Sequence, residues 1–183
     1  MLKNAQYIYD NIIKADEINT TKKWCKKAQV GVDLSIKSIQ LINQAGKVFV
    51  DKTIAPQYTP VEIGDIGEGR KGWFLPQGTY ICDLNEGCSF GERDTGLIIL
   101  RSSLNRSGVT ICSAVWDPGY TSVEKDSNKV NSMSIRMIVD NREGFWLEAN
   151  ARIAQLVVLE SEPTNLYNGQ WQGGLKQSKL VEK

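Results

Sequence analysis

The chain of 183 residues contains no histidine. That removes the side chain most used for proton transfer near neutral pH, and the commonest nitrogen ligand for metals. Its 4 cysteines, Cys25, Cys82, Cys88 and Cys112, include no C-x-x-C pair, so a zinc-ligand pattern is missing as well. With no recognisable signal segment, the thiols are expected to be reduced and the protein cytoplasmic. An excess of either charge is also lacking: 22 Lys+Arg against 21 Asp+Glu leave a net charge of +1. That balance gives no reason to expect a nucleic-acid polymer or an anionic membrane as partner. No apolar run approaches the roughly 18 residues that span a bilayer. Staples are not needed, because a chain of this length buries roughly 70% of its unfolded surface as one domain.

What is present is mostly β texture. Near the start, "NAQYIYDNIIKADE" sets Tyr7, Ile8, Ile12 and Ala15 at helical spacing, which predicts a short amphipathic helix over about residues 4–15. The lysine-rich "TTKKWCKK" that follows reads as a solvated face or loop. From Gln29 onward, "VGVDLSIKSIQLI", "GWFLPQGTYICDL", "TGLIILRSSL", "GVTICSAVW", "MSIRMIVDN" and "RIAQLVVLE" are short β-branched runs punctuated by Gly, Pro, Asn and Asp. No helical stretch alternates with them, so a twisted, mainly β barrel or sandwich is expected, with one N-terminal helix. "APQYTPVEIGDIGEGRK" and "TSVEKDSNKVNS" read as loops. The C-terminal "NLYNGQWQGGLKQSKLVEK" mixes aromatics, glycines and lysines, a composition suited to a flexible arm over about residues 164–183 that closes on a ligand, or to a frayed tail.

Polar residues interrupt the apolar strands at three places. "LRSSLNRSG" puts Arg101 beside Ser102 and Ser103, which suits a phosphate cradle; either serine could equally cap a short helix through Leu104 and Arg106. "GVDL" sets Asp33 inside a strand, where an edge position facing water is the plain structural alternative. In "ARIAQLVV", Arg152 and Gln155 flank apolar residues, and Arg152 should find a carboxylate, phosphate or carbonyl partner. A fourth stretch, "SAVWDPGYTS", places Asp117 and Tyr120 around a Pro118-Gly119 turn.

Taken in order, "VGVDL", "GLIILRSSLNRSGV", "SAVWDPGY", "ARIAQLV" and "YNGQWQGG" resemble the motifs of the dUTPase and dCTP deaminase superfamily over most of the chain. The resemblance is greater to a dUTPase. In the deaminase branch a glutamate three residues before an asparagine activates the attacking water. Matching "MIVDN" to that strand puts Ile138 in the glutamate position.

The resemblance implies a barrel or jelly-roll-like dUTPase fold covering residues 1–183. It also implies hydrolysis of dUTP to dUMP and pyrophosphate by water attack at the α-phosphorus. Magnesium would ride on the triphosphate, and a homotrimer would share its active sites between subunits. By the same resemblance Asp117 binds the 3′-hydroxyl and helps activate the water, and Tyr120 packs on the sugar and excludes a 2′-hydroxyl. Trp116 ends a strand, Thr110–Trp116, whose backbone edge would bind uracil. Arg101, Ser102, Ser103 and Gln155 would lie near the phosphates. Asp33 would support the metal's water shell, and Tyr167 or Trp171 would cover the base. The sequence departs from the family where "DPGYTS" lacks an arginine-glycine pair, where Trp116 replaces a smaller aliphatic residue, and in its C-terminal motif. The alternatives are a dCTP deaminase, possibly bifunctional, or an inactive nucleotide-binding regulator of the same fold.

Overall fold

A computed structural model describes residues 1–15, 21–169 and 171–174. Eight strands build the framework: β1 (Val32–Ile42), β2 (Lys71–Leu75), β3 (Gly78–Leu84), β4 (Asp94–Leu100), β5 (Val109–Cys112), β6 (Ser134–Val139), β7 (Phe145–Glu148) and β8 (Arg152–Glu160). Six of them hydrogen-bond in the order β4-β8-β1-β3-β6-β5. All the pairings are antiparallel. The two ends of this path meet where Gly96 and Trp116 exchange N–H···O bonds of 2.9 and 3.0 Å. The sheet is therefore a nearly closed barrel, the mainly β architecture expected from the sequence.

Alternation explains the interior. Along β6, Ile135, Met137 and Val139 are buried while Ser134, Arg136 and Ile138 face outward. β3 does the same with Tyr80, Cys82 and Leu84 inside. These side chains join Leu34, Ile36, Ile111, Ile153, Leu156 and Val158 in one core. β2, β7 and the short strand Gly64–Asp65 form a separate small sheet, and Lys47–Val48 pairs with Thr53–Ile54 as a hairpin.

Two expectations need correction. The N-terminal helix is shorter than predicted: a turn at Ala5–Tyr7 passes into a π-type turn, Ile8–Ile12. Ile13–Lys14 then leaves as a strand paired with Gly87–Cys88. The helical geometry ends at Ile13, whose backbone is extended (φ −69°, ψ 127°) and whose side chain is buried where it pairs with Cys88. The lysine-rich stretch is not merely solvated loop, because Lys26–Lys27 pairs with β1 and Cys25 is buried. The tail from residue 175 onward lies outside the described residues. Among the described residues, no helix is long and apolar enough to cross a membrane.

Candidate active site

The polar motifs gather into two groups. The first centres on Asp33. It does not stand on an edge: β1 is paired on both sides there, with Gln155 of β8 and with Lys26. Asp33 is only 7% exposed. Its Oδ2 lies 3.4 Å from Arg101 Nε and 3.9 Å from Arg152 Nε, and Gln155 Nε2 donates to Oδ1 at 3.1 Å. Arg101 Nη1 also donates to the Arg152 carbonyl at 3.0 Å. Two guanidiniums on one carboxylate leave the group one positive charge in excess, and both arginines remain partly open to solvent. Such a cluster favours an anion. A dication gains little here, because Asp33's charge is already compensated.

Ser102 and Ser103 begin the short helix Ser102–Arg106, but neither caps it. Arg101 occupies the N-cap with extended backbone (φ −80°, ψ 147°) and makes no side-chain cap bond. Leu104 anchors the helix in the core, so both serines stay exposed beside Arg101.

The second group surrounds a cavity of about 300 Å³. Asp117 and Tyr120 face it from a tight turn in which the Tyr120 N–H donates to the Asp117 carbonyl at 3.0 Å. Gly119 has φ +80°, the left-handed geometry that a type II turn requires after proline. That turn puts an exposed carboxylate and a buried phenol on the same cavity. Burial first, then Cys88 and Tyr167 beside it, pushes the Tyr120 phenol up, so its ring acts as a neutral surface.

Aromatic rings continue outward from the core. Phe90 stacks near Trp116 with centroids 6.4 Å apart, Trp116 meets Tyr120 edge-on at 5.0 Å, and Tyr120 meets Tyr167 edge-on at 5.4 Å. Trp116 Nε1 is buried and has no hydrogen-bond partner among the described residues. The C-terminal segment closes one side of the cavity with Tyr167 and Trp171. It docks on its own chain: the Tyr167 N–H donates to the Pro118 carbonyl at 2.9 Å, and the Gly173 N–H to the Thr121 carbonyl at 2.8 Å. The loop over residues 121–132 receives it, with Asn131 Nδ2 donating to the Gly173 carbonyl at 2.6 Å.

Sequence reasoning missed two serines that also line the cavity, Ser132 and Ser134. The signal was the outward parity of Ser134 on its strand, hidden by the uncertain length of the preceding loop. Arg101, Ser102, Ser103, Arg152 and Gln155 do not line this cavity. Gly96, bridged to Trp116, and Arg101 are five residues apart along and just beyond β4, a separation of about 17 Å at the usual strand rise.

A deaminase-like family profile, described as dCTP deaminase-like, matches residues 4–161. The chain belongs to the dCTP deaminase-like family. A protein of Archaeoglobus fulgidus named probable deoxyuridine 5′-triphosphate nucleotidohydrolase is 33% identical over 147 residues, covering 78% of each chain. A protein of the same name from Aeropyrum pernix is 37% identical over 146 residues, 78% of this chain and 82% of that one. Another, from Methanosarcina mazei, is 35% identical over 147 residues, 78% of each chain.

Proposed function

We propose that this dCTP deaminase-like protein is a dUTP nucleotidohydrolase, converting dUTP and water to dUMP and pyrophosphate. The observation that carries the reading is the cavity that joins Asp117 to Tyr120; the resemblance adds that Ile138 matches the position where the deaminase branch carries its glutamate. The identities to proteins named as probable dUTP nucleotidohydrolases point the same way.

In the mechanism, Tyr120 presents its ring to the deoxyribose and Asp117 accepts a hydrogen bond from the 3′-hydroxyl. Asp117 also draws a proton from the water that attacks the α-phosphorus. The bond from the α-phosphorus to the bridging oxygen breaks, and pyrophosphate leaves with the electron pair. Arg101, Ser102, Ser103 and Gln155 hold the phosphate oxygens, and the positive excess around Asp33 offsets the leaving group's growing charge. Magnesium enters on the triphosphate as part of the substrate. Asp33 acts by holding the two arginines rather than on the metal's water shell. Tyr167 and Trp171 cover the nucleoside side.

The ladder between β5 and β6 stops at Cys112↔Arg136, and the chain pairs next at Trp116. The intervening backbone of Ser113–Val115 is thus placed to meet the edge of uracil. The span along β4 separates the cationic cluster from the cavity by far more than a nucleotide's sugar is separated from its 5′-phosphate. One nucleotide therefore uses the cavity of one copy and the arginines of another; that the copies number three, as a homotrimer, is what the resemblance to dUTPases implies. Leu97 and Ile99 on the outer face of β4, and Val115 nearby, are 37%, 48% and 54% exposed in the single chain, and they provide apolar surface for that contact. The free thiols suit a reducing, cytoplasmic setting.

The test is to incubate the protein with dUTP, dCTP, dTTP and UTP plus magnesium, and to identify both base and phosphate products. Pyrophosphate and dUMP from dUTP alone are expected, with a loss of about 10³-fold or more in kcat for Asp117→Asn. Ammonia released from dCTP, or full activity in Asp117→Asn, would overturn the assignment.

A further inference from the structure

β3 stands between two polar neighbours on the outer face of the barrel. Ser134 is the register partner of Asp83 on β3, and Asp83 is the register partner of Ser38 on β1. Ser134 Oγ donates to Asp83 Oδ1 at 2.6 Å, and Ser38 Oγ donates to Asp83 Oδ2 at 3.0 Å. This three-strand polar rung ends at the cavity, because Ser134 lines it together with Asp117 and Tyr120. Ser134 also sits where β5 and β6 part: it lies two residues beyond the last ladder pair, Cys112↔Arg136, and lines the cavity together with Ala114.

A carboxylate only accepts hydrogen bonds, whereas a hydroxyl both donates and accepts. Asp83 therefore takes the one proton that Ser134 has to give. What Ser134 offers the cavity is its lone pairs. An acceptor fixed in this way complements a ring N–H. Uracil carries a proton on N3; cytosine carries a lone pair there, so the same pose would set two acceptors against each other with no proton between them. Unpaired polar groups in a closed pocket discriminate strongly.

We propose that Ser134, with its hydroxyl oriented by Asp83, reads the N3–H of the base and selects uracil over cytosine. The assignment rests on the dUTP reading above. Ser134 is a specificity residue that touches the base, and Asp83 is a positioning residue that acts through it.

The experiment compares kcat/KM for dUTP with the inhibition constant of dCTP in the wild-type protein and in Ser134→Ala, Asp83→Asn and Ser38→Ala, each checked for folding by circular dichroism. Ser134→Ala should lower kcat/KM for dUTP about tenfold and narrow the dUTP-to-dCTP preference by at least that factor, the size of one hydrogen bond. Asp83→Asn can donate to Ser134 and free its proton for the cavity, so dCTP should bind more tightly than to the wild type. Ser38→Ala removes the other end of the rung and should leave the preference within about twofold, since no donor or acceptor at the base changes. An unchanged preference in folded Ser134→Ala and Asp83→Asn overturns the proposal, as does an equal change in Ser38→Ala. Wild-type turnover of dUTP reports on the functional reading separately: turnover with an unchanged preference in the variants sinks the Ser134 assignment alone, and absence of turnover sinks both.

Discussion

Gln172 grips the turn that carries Asp117 from both sides. Its Nε2 donates to the Gly119 carbonyl at 3.0 Å, and its Oε1 accepts from the Thr121 N–H at 3.2 Å. One amide thus spans the residues flanking Tyr120 and fixes the C-terminal segment on the cavity. Gln172→Ala loses both bonds, each worth about 1 kcal/mol net. The KM for dUTP should rise about fivefold to thirtyfold, with a melting temperature little changed, because Gln172 is exposed. Steady-state kinetics with a thermal melt checks this, and an unaltered KM would show that the segment does not hold the substrate.

Gly119 gives the turn its shape, and a side chain there meets two obstacles. Its φ of +80° costs an L-residue about 1–2 kcal/mol, and an added Cβ would stand 3.1 Å from Leu166 Cβ. Gly119→Ala should therefore destabilise the protein by about 1–3 kcal/mol, measured by urea unfolding. It should also reduce kcat, since Asp117 and Tyr120 are both aimed by this turn. A stable variant with normal kcat would mean that the turn tolerates another geometry.

The cationic group makes a different prediction. Arg101→Ala removes a charge-assisted contact to the triphosphate and should raise the KM for dUTP about tenfold to a hundredfold. Affinity for dUMP, which lacks the β- and γ-phosphates, should change much less. Asp33→Asn leaves Arg101 and Arg152 facing each other without their shared carboxylate. It should lower stability by about 1–2 kcal/mol, a modest figure because both arginines are partly solvated. Equal losses of dUTP and dUMP affinity in Arg101→Ala would remove that residue from the phosphates.

The barrel was legible in the sequence because its strands carry period-two alternation, as in "SIRMIVD", where Ile135, Met137 and Val139 turn inward. Asp117, Pro118, Gly119 and Tyr120 were legible for a related reason: turn chemistry is local, and Gly119 adopts the conformation that its neighbours require. What could not be read was anything set by register between distant strands. Asp83 and Ser134 are 51 positions apart, and only the pairing of β3 with β6 makes them neighbours. The same holds for Asp33, whose interior place depends on Lys26 and Gln155 pairing from either side. Of the two alternatives left open at Ser102 and Ser103, the cap is not the one adopted: both are good capping residues, but the extended backbone needed at a cap falls at Arg101.

Glu86 gives a stability test that is independent of activity. It is fully buried, accepting from Ser35 N–H at 3.0 Å through Oε2 and from Ser35 Oγ at 2.7 Å through Oε1. Burial raises its carboxyl from 4.5 to about 7, against the opposing pull of the Ser35 donors. The folded state thus keeps a proton that the unfolded chain releases. Stability from this group is fully present below about pH 4.5, falls as pH rises toward about 7, and is flat beyond, with a total change of at most about 3 kcal/mol. Glu86→Gln cannot ionise and should escape the fall. Urea midpoints at about pH 5 and about pH 8 should move apart in the wild type and less in the variant, so that Glu86→Gln gains on the wild type by about 1–3 kcal/mol as pH rises. If both proteins lose stability in parallel, Glu86 is not the group that titrates, and the polar contacts around Ser35 hold a carboxylate that is charged throughout that range.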